Sequence, residues 1–283
     1  MLKIGLFIPT LNPGINFKKT ISMVNQQAGN FELRKLIIDS ESTDNTIQLA
    51  QQAGFEYKTI PRITFTHGKV RRIAVNLLSD CDYIVFLSQD VYLQENALKN
   101  ILEFICSNRN MALAYGKQRS DPQVVGWLNA LDRHFNYSDT SLIKSWQNRK
   151  LYGLKTVFSS DAFAIYDKNI LLKLGNFPEK VNFSEDMLMA SLAIKAQYSI
   201  GYCAQATCIH NQGLNYYQLY KRYRKISNFH KQYPWIRKQF GGETSEGIKL
   251  VKYELNFLIS QKLFYLIPSL IIRSAIKYVA FRI

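Results

Sequence analysis

Cysteine is scarce: Cys81, Cys106, Cys203 and Cys208 are the only four in 283 residues. No disulfide framework can be read from them in a chain this long, which excludes a small stapled scaffold and points to a reducing compartment. Cys203, Cys208 and His210 match no standard zinc spacing and have no evident fourth ligand. Long apolar runs are also missing. The amino-terminal run from Met1 is short and is stopped by Pro9, so it reads as a first strand and not as a signal peptide. Leu263 to Ile272 is apolar but is interrupted by Pro268 and flanked by Lys262 and Arg273. It falls short of the about 20 residues that a bilayer span needs, so no transmembrane helix is expected. Acids are few, 21 against 36 Lys and Arg, for a net charge of +15 and a pI near 9.6. That balance implies an anionic partner: nucleic acid, an acidic membrane or a phosphorylated substrate. The basic residues are spread along the chain and 47% of residues are hydrophobic. A folded chain with a sizeable core is therefore expected, not a disordered one.

What is present alternates between strands and helices. Lys3 to Ile8, Leu36 to Ile38, Phe55 to Ile60 and Tyr83 to Leu87 read as strands. Helical patterns lie between them, through Ile21 and Val24, Ile47 to Ala53, and Val70 to Leu78. Such βαβ units predict an α/β fold with a mostly parallel sheet flanked by helices. The run Tyr83-Ile84-Val85-Phe86-Leu87 has no polar interruption, as befits a strand buried on both faces. It ends in Ser88-Gln89-Asp90, where ligands of open α/β sheets bind. Asp90 could hold a divalent cation against a nucleotide diphosphate, or it could be the solvated acid of an ordinary turn. Asp39, with Ser40 and Glu41 after it, stands at the tip of the second strand, beside Pro9, Thr10 and Asn12 at the tip of the first. Thr43 or Asp44 is expected to cap the following helix and Gly54 to stop it. His67, Gly68, Lys69, Arg71 and Arg72 open the next helix. They form either a solvated basic face or a glycine-permitted turn where guanidinium groups gather on a diphosphate. Ser184 is expected to cap a helix with Glu185 and Asp186 in its first turn. One of these carboxylates could instead serve as a general base toward an acceptor hydroxyl.

The segments Ile8-Pro9-Thr10-Leu11-Asn12, Asp39-Ser40-Glu41-Ser42-Thr43-Asp44, His67-Gly68-x-x-Arg71 and Ser88-Gln89-Asp90 occur in a characteristic order. Together they resemble the inverting family-2 glycosyltransferases, and more narrowly bacterial rhamnosyltransferases that use dTDP-L-rhamnose. Phe183-Ser184-Glu185-Asp186 resembles the family's Glu-Asp motif and Ile209-His210-Asn211 its later histidine, so the resemblance runs almost end to end. It departs at Glu41 (usually Gly), Arg72 (usually Asn) and Ser88 (usually Thr). The resemblance implies a GT-A-like fold with a helical carboxyl-terminal extension. Residues 1–212 would form the catalytic domain, with the nucleotide-sugar part at about 1–115 and the acceptor part at about 116–212. It implies Asp186 as base, with Glu185 orienting the acceptor. It implies donor contacts from Pro9, Thr10, Asn12, Asp39, Ser40, Glu41, His67, Gly68, Arg71, Ser88 and Gln89. Magnesium or manganese would be held by Asp90 and His210.

Tyr216-Tyr217-Gln218-Leu219-Tyr220-Lys221-Arg222-Tyr223-Arg224-Lys225 interleaves aromatic and basic residues. Single-strand binders look like this, so a basic nucleic-acid-binding module is the rival reading. At helical spacing Tyr216, Leu219 or Tyr220, Tyr223 and Ile226 share one face, which makes an amphipathic helix with a basic side. Such a helix suits an anionic bilayer or a lipid diphosphate, or packs its aromatics into a core. The expectation is transfer of L-rhamnose from dTDP-L-rhamnose to a lipid-linked glycan. The enzyme would be cytoplasmic and peripheral on the inner membrane face, with residues 213–283 toward the bilayer and no nucleic acid as partner. A UDP- or GDP-sugar donor is the alternative.

Overall fold

The computed structural model describes residues 1–242 and 244–282. In chain order the amino-terminal half runs β1 (Leu2–Thr10), α1 (Phe17–Asn25), β2 (Phe31–Asp39), α2 (Thr46–Gln52), β3 (Glu56–Thr59), α3 (His67–Leu77) and β4 (Tyr83–Leu87). After it come β5 (Val91–Leu93), α4 (Ala97–Cys106), β6 (Met111–Arg119), α5 (Pro122–Val125), α6 (Trp127–Asn136), β7 (Leu142–Lys144) and α7 (Arg149–Tyr152). The remainder is β8 (Phe163–Asp167), α8 (Lys168–Lys173), α9 (Glu185–Lys195), β9 (Ser199–His210), α10 (Tyr216–Gln232), α11 (Pro234–Phe240), α12 (Thr244–Ser260) and α13 (Ile267–Arg282).

One mixed sheet carries the strands in the order β3-β2-β1-β4-β8-β6-β9-β5, with β7 also on β9. The first four are parallel, as the βαβ alternation predicts. Past β4 the strands β8, β5 and β7 run antiparallel to their neighbours, while β6 and β9 pair in parallel. Alternate residues of each central strand feed two cores. Phe7, Ile84 and Phe86 point to the layer containing α3 and α9. Leu6, Ile8, Val85 and Leu87 point to the layer containing α1 and α4. Each such side chain contributes about 1.5–3 kcal/mol on burial, so the strand tips that carry the site are anchored from both faces.

Of the two local expectations, the cap and stop of α2 hold and the Ser184 cap does not. Helix α2 starts after Asn45, whose side chain makes no cap bond. Asp44 caps it from one residue earlier, accepting from the Thr46 N–H at 3.2 Å, while Gly54 takes the left-handed conformation expected of a helix stop. Ser184 precedes α9 at φ 58 and its side chain caps nothing.

The carboxyl-terminal helices lie on α6. Leu128 and Leu131 of α6 share a small core with Leu258 of α12 and Leu270 of α13. Asp132 of α6 accepts from Arg273 at 2.9 Å and Lys277 at 2.6 Å. Pro268 does not break this segment, contrary to the expectation. It falls in the first turn of α13, where no intrahelical N–H is needed. With the 3-10 turn Phe264–Leu266 it gives a 19-residue helical stretch that is long and apolar enough to cross a membrane.

Candidate active site

Strand pairing assembles the site. Thr10 pairs with Asp39, so the tips of β1 and β2 meet. Asp39 is fully buried. Its carboxylate accepts from Thr10 Oγ1 at 2.8 Å, from the Ser42 N–H at 2.8 Å and from Ser42 Oγ at 2.6 Å. Ser42 Oγ in turn accepts from the Asn12 N–H at 2.8 Å, and Asn12 Oδ1 accepts from the Thr43 N–H. Asp39 thus welds two loops together through Ser42, a residue whose place in the Asp39 to Asp44 string does not by itself announce that role. Ser40 Oγ is buried without a partner. Glu41 takes φ 62, the left-handed region that glycine adopts freely, and accepts from the Arg62 N–H at 2.9 Å. Pro9 and Ser88 are half-buried at the same edge. Gln89 serves the loop after β1 instead, since its amide makes two hydrogen bonds, 2.9 and 3.3 Å, with the Leu11 backbone.

The first turn of helix α3 packs against the 178–181 loop. The Gly68 N–H donates to Val181 O at 2.8 Å, Thr66 Oγ1 donates to Glu179 O, and the Thr66 side chain caps the Lys69 N–H. A Cβ on Gly68 would stand 2.0 Å from Pro178 O. The glycine is therefore needed because the 178–181 loop crosses the helix end and seals it. Arg72 donates to Gly175 O and Phe177 O, holding that same loop.

Arg71 is buried. Its Nε donates to Asp161 at 2.7 Å and its Nη1 lies 2.9 Å from Glu185. Nε and Nη1 are thus engaged by acids within the fold. Tyr166 donates to the other oxygen of Asp161 at 2.7 Å. Asp186, next on α9, accepts from the Met187 N–H at 2.7 Å and the Asp161 N–H at 3.4 Å. Three carboxyls thus crowd around one guanidinium. Burial, followed by the charges of Glu185 and Asp161, pushes Asp186 up to about 8. Burial, partly offset by Arg71, pushes Asp161 up to about 6. Asp161 carries no local signal in the sequence. Its importance comes from a pairing 90 residues away. His67, beside Arg71 at 3.3 Å, is pushed down to about 4, chiefly by burial.

The cation pair forms because Val91 of β5 pairs with His210 of β9. Asp90 Oδ2 and His210 Nε2 come within 3.3 Å, with the Asp90 side chain 44% exposed. Asp90 opens on a cleft of about 230 Å³ with Asn16, Tyr92 and Asn211 among its walls, and the buried His210 stands behind it. His210 Nδ1 faces Gln118 Oε1 at 3.0 Å and Arg133 Nη1 at 3.1 Å. Burial lowers the His210 pKa, the Asp90 carboxylate partly offsets that, and Arg133 and Arg222 add to the lowering. In one tautomer Nε2–H donates to Asp90; in the other, with Nδ1–H donating to Gln118, the Nε2 lone pair is free to join Asp90 on a cation. Neighbouring ligands in an octahedral magnesium site stand about 3 Å apart, so the two side chains fit one such ion, with phosphate oxygens and water completing it. Serine at 88 supplies no second carboxylate.

Helix α10 departs from the core-facing reading. Leu219 is buried, but Tyr216, Tyr217 and Tyr220 are exposed. On its other side Arg222 and Lys225 stand 6.0 and 5.7 Å from the ring of Phe183, just before Glu185 and Asp186 in the chain. Among the described residues neither pairs with a carboxylate.

A parallel half-sheet that delivers a buried Asp, an Asp/His pair and a perturbed acid to one edge defines a GT-A-like transferase. The chain belongs to glycosyltransferase family 2: residues 6–175 match the family described as Glycosyl transferase family 2. It is 34% identical to the O-antigen chain rhamnosyltransferase RfbN of Salmonella typhimurium, over all of this chain and 89% of that one. It is 35% identical to the O-antigen chain rhamnosyltransferase WbaN of Salmonella anatum, over 98% and 88%. Two solved structures share the fold at low identity. The mannosyltransferase PcManGT of Pyrobaculum calidifontis, in complex with GDP-Man and Mn2+, aligns with a TM-score of 0.63 at 13% identity, covering 98% of this chain and 84% of that one. S. aureus TarS 1-349 aligns with a TM-score of 0.58 at 16% identity, covering 99% and 89%. The protein is thus a family-2 glycosyltransferase related to O-antigen rhamnosyltransferases.

Proposed function

We propose that this enzyme transfers L-rhamnose from dTDP-L-rhamnose, with inversion, to a glycan carried on a lipid diphosphate at the cytoplasmic face of the membrane. The full-length similarity to two O-antigen rhamnosyltransferases supports the donor and acceptor class. The observation that carries the chemistry is Asp186. Its carboxyl is the most strongly raised of the cluster and is held by two backbone N–H groups. It takes the proton of the acceptor hydroxyl as that hydroxyl attacks the anomeric carbon. One base without a covalent intermediate gives inversion. Arg71 and Asp161 hold Glu185 and the start of α9 in place. Asp90 and His210 would hold magnesium or manganese, which offsets charge on the departing nucleoside diphosphate. Arg222 and Lys225, not paired with a carboxylate among the described residues, add positive charge to the same side of the acid cluster.

The test is thermal stability with dTDP, UDP and GDP, each with and without magnesium or manganese, on wild type and on Asp186→Asn. A ligand at about a hundred times its Kd adds about 2.7 kcal/mol. The reading expects a cation-dependent shift selective for dTDP in both proteins, and transfer by wild type alone. Transfer by Asp186→Asn would remove Asp186 from its role. A UDP- or GDP-sugar is the second reading, favoured by fold neighbours complexed with UDP-GlcNAc and GDP-Man. Selectivity for UDP or GDP would establish it.

A further inference from the structure

Helix α13 is turned inside out for a helix in water. Its cations face the protein: Arg273 is buried, and both Arg273 and Lys277 bond Asp132 of α6. Its outward face is apolar. Phe264, Tyr265, Ile271, Ile272, Tyr278 and Val279 are 55%, 71%, 63%, 46%, 59% and 46% exposed. They recur as neighbouring pairs seven residues apart, two helical turns, so they form one continuous stripe. Pro268 and Ala275 fill the exposed positions between the pairs. A stripe of this size is unfavourable in water and marks a surface that meets something apolar.

The charge around it says what that is. No acid occurs after Glu254, while Lys262 and Arg282 stand at the two ends of the stripe. Tyr265 and Tyr278 on the stripe, and Tyr216, whose hydroxyl bonds Ser269 at 2.8 Å, are the residue type that settles at the headgroup level of a bilayer. Length alone would let this segment span a membrane. The two bonds to Asp132, near the middle of α13, hold it against the catalytic domain and prevent that.

We propose that the outer stripe of α13 lies in the plane of an anionic bilayer and is the surface by which the enzyme meets its lipid-linked acceptor. The proposal rests on the reading of the acceptor as a lipid. It deepens that reading by naming the face that docks. Helix α10 packs beside α13 and carries Arg222 and Lys225 on to Phe183 at the acid cluster. A docked α13 therefore sets the cleft next to the lipid headgroups.

The experiment is co-sedimentation of the full chain with vesicles of phosphatidylglycerol and phosphatidylcholine, against phosphatidylcholine alone. Wild type and Ile271→Ser/Val279→Ser are compared at low and high salt, with sedimentation equilibrium to read mass. The expected result is binding to the anionic vesicles that weakens with salt, and a loss of about tenfold or more in the double variant, since interfacial affinity scales with buried apolar area. The variant should keep the same melting shift with dTDP, which shows that it is folded and that its nucleotide site is intact. Vesicle binding unchanged by the substitutions, or no binding by wild type, would overturn the proposal. A wild-type dimer that the substitutions dissolve would assign the stripe to a second copy. If vesicles bind but no nucleotide shifts the melt, the function fails and the docking face stands. The reverse outcome removes the docking face alone.

Discussion

Replacing Arg71 with methionine separates two roles for one residue. If Arg71 served mainly as a diphosphate ligand, the ligand-free protein would hardly notice its loss. The geometry says otherwise: Arg71 is 6% exposed and is bonded at 2.7 and 2.9 Å to Asp161 and Glu185. Methionine fills the volume beside Phe86 and Phe177 but leaves three crowded carboxyls without a cation. Removing one partner of a buried pair costs about 3–5 kcal/mol. At about 2.1 cal/mol/K of unfolding entropy per residue, a chain of this length loses about 5–8 °C in Tm. The penalty also has a sign with pH. Asp161 at about 6 and Asp186 at about 8 bind protons more tightly in the folded state than in the unfolded one. Their stabilising contribution is full below the unfolded carboxyl range and is lost as pH rises through about 6 to about 8. Without Arg71 the carboxyls hold their protons more tightly still, so the deficit of Arg71→Met should be largest above pH 8 and shrink toward pH 5. Thermal melts across that range, without ligand, measure it. A ligand-free Tm equal to wild type, together with weakened dTDP binding, would refute the buried-network assignment.

Two further outcomes follow from the same cluster. Glu185→Gln removes a like charge beside Asp186, so the rising limb of the pH profile of kcat/KM should move to lower pH from its wild-type position near about 8. An unmoved limb would mean that another group controls it. Gly68→Ala places a methyl 2.0 Å from Pro178 O and must displace the loop that leads to Ser184, Glu185 and Asp186. It should lower kcat strongly while Kd for dTDP changes by less than about threefold, since its backbone contact is to that loop. A loss confined to dTDP binding would return Gly68 to the nucleotide.

The strands β1, β2 and β4 were legible because each ends in an apolar run buried on both faces, and because a polar residue at the end of such a run has few structural uses; β3, Glu56–Thr59, is exposed along its length and was legible only from its flanking Phe55 and Ile60 and from the βαβ alternation. The antiparallel entry of β8 was not legible, since its run Phe163 to Tyr166 is as apolar as that of a parallel strand, and direction is set by the connection. The acid cluster was half legible. Glu185 and Asp186 stood out as adjacent acids, whereas Asp161 acquires its role only through Arg71 and Tyr166, partners that no local spacing announces. The same limit hid the partners of Arg71, because a guanidinium after a His-Gly turn looks alike in sequence whether or not it also meets two carboxylates. Gly68 reads correctly as a close approach, and the chain that approaches it is residues 178–181, which no local spacing announces. Pro268 misled in the opposite direction: proline breaks a helix interior but opens a first turn without cost. Where α13 begins was the whole difference between a broken apolar run and a helix long enough to present an apolar face. That face could not be read from hydropathy alone, because Arg273 and Lys277 make the segment look amphipathic in the ordinary sense. Only the position of Asp132, more than 140 residues earlier, shows that the charged side is the one turned inward.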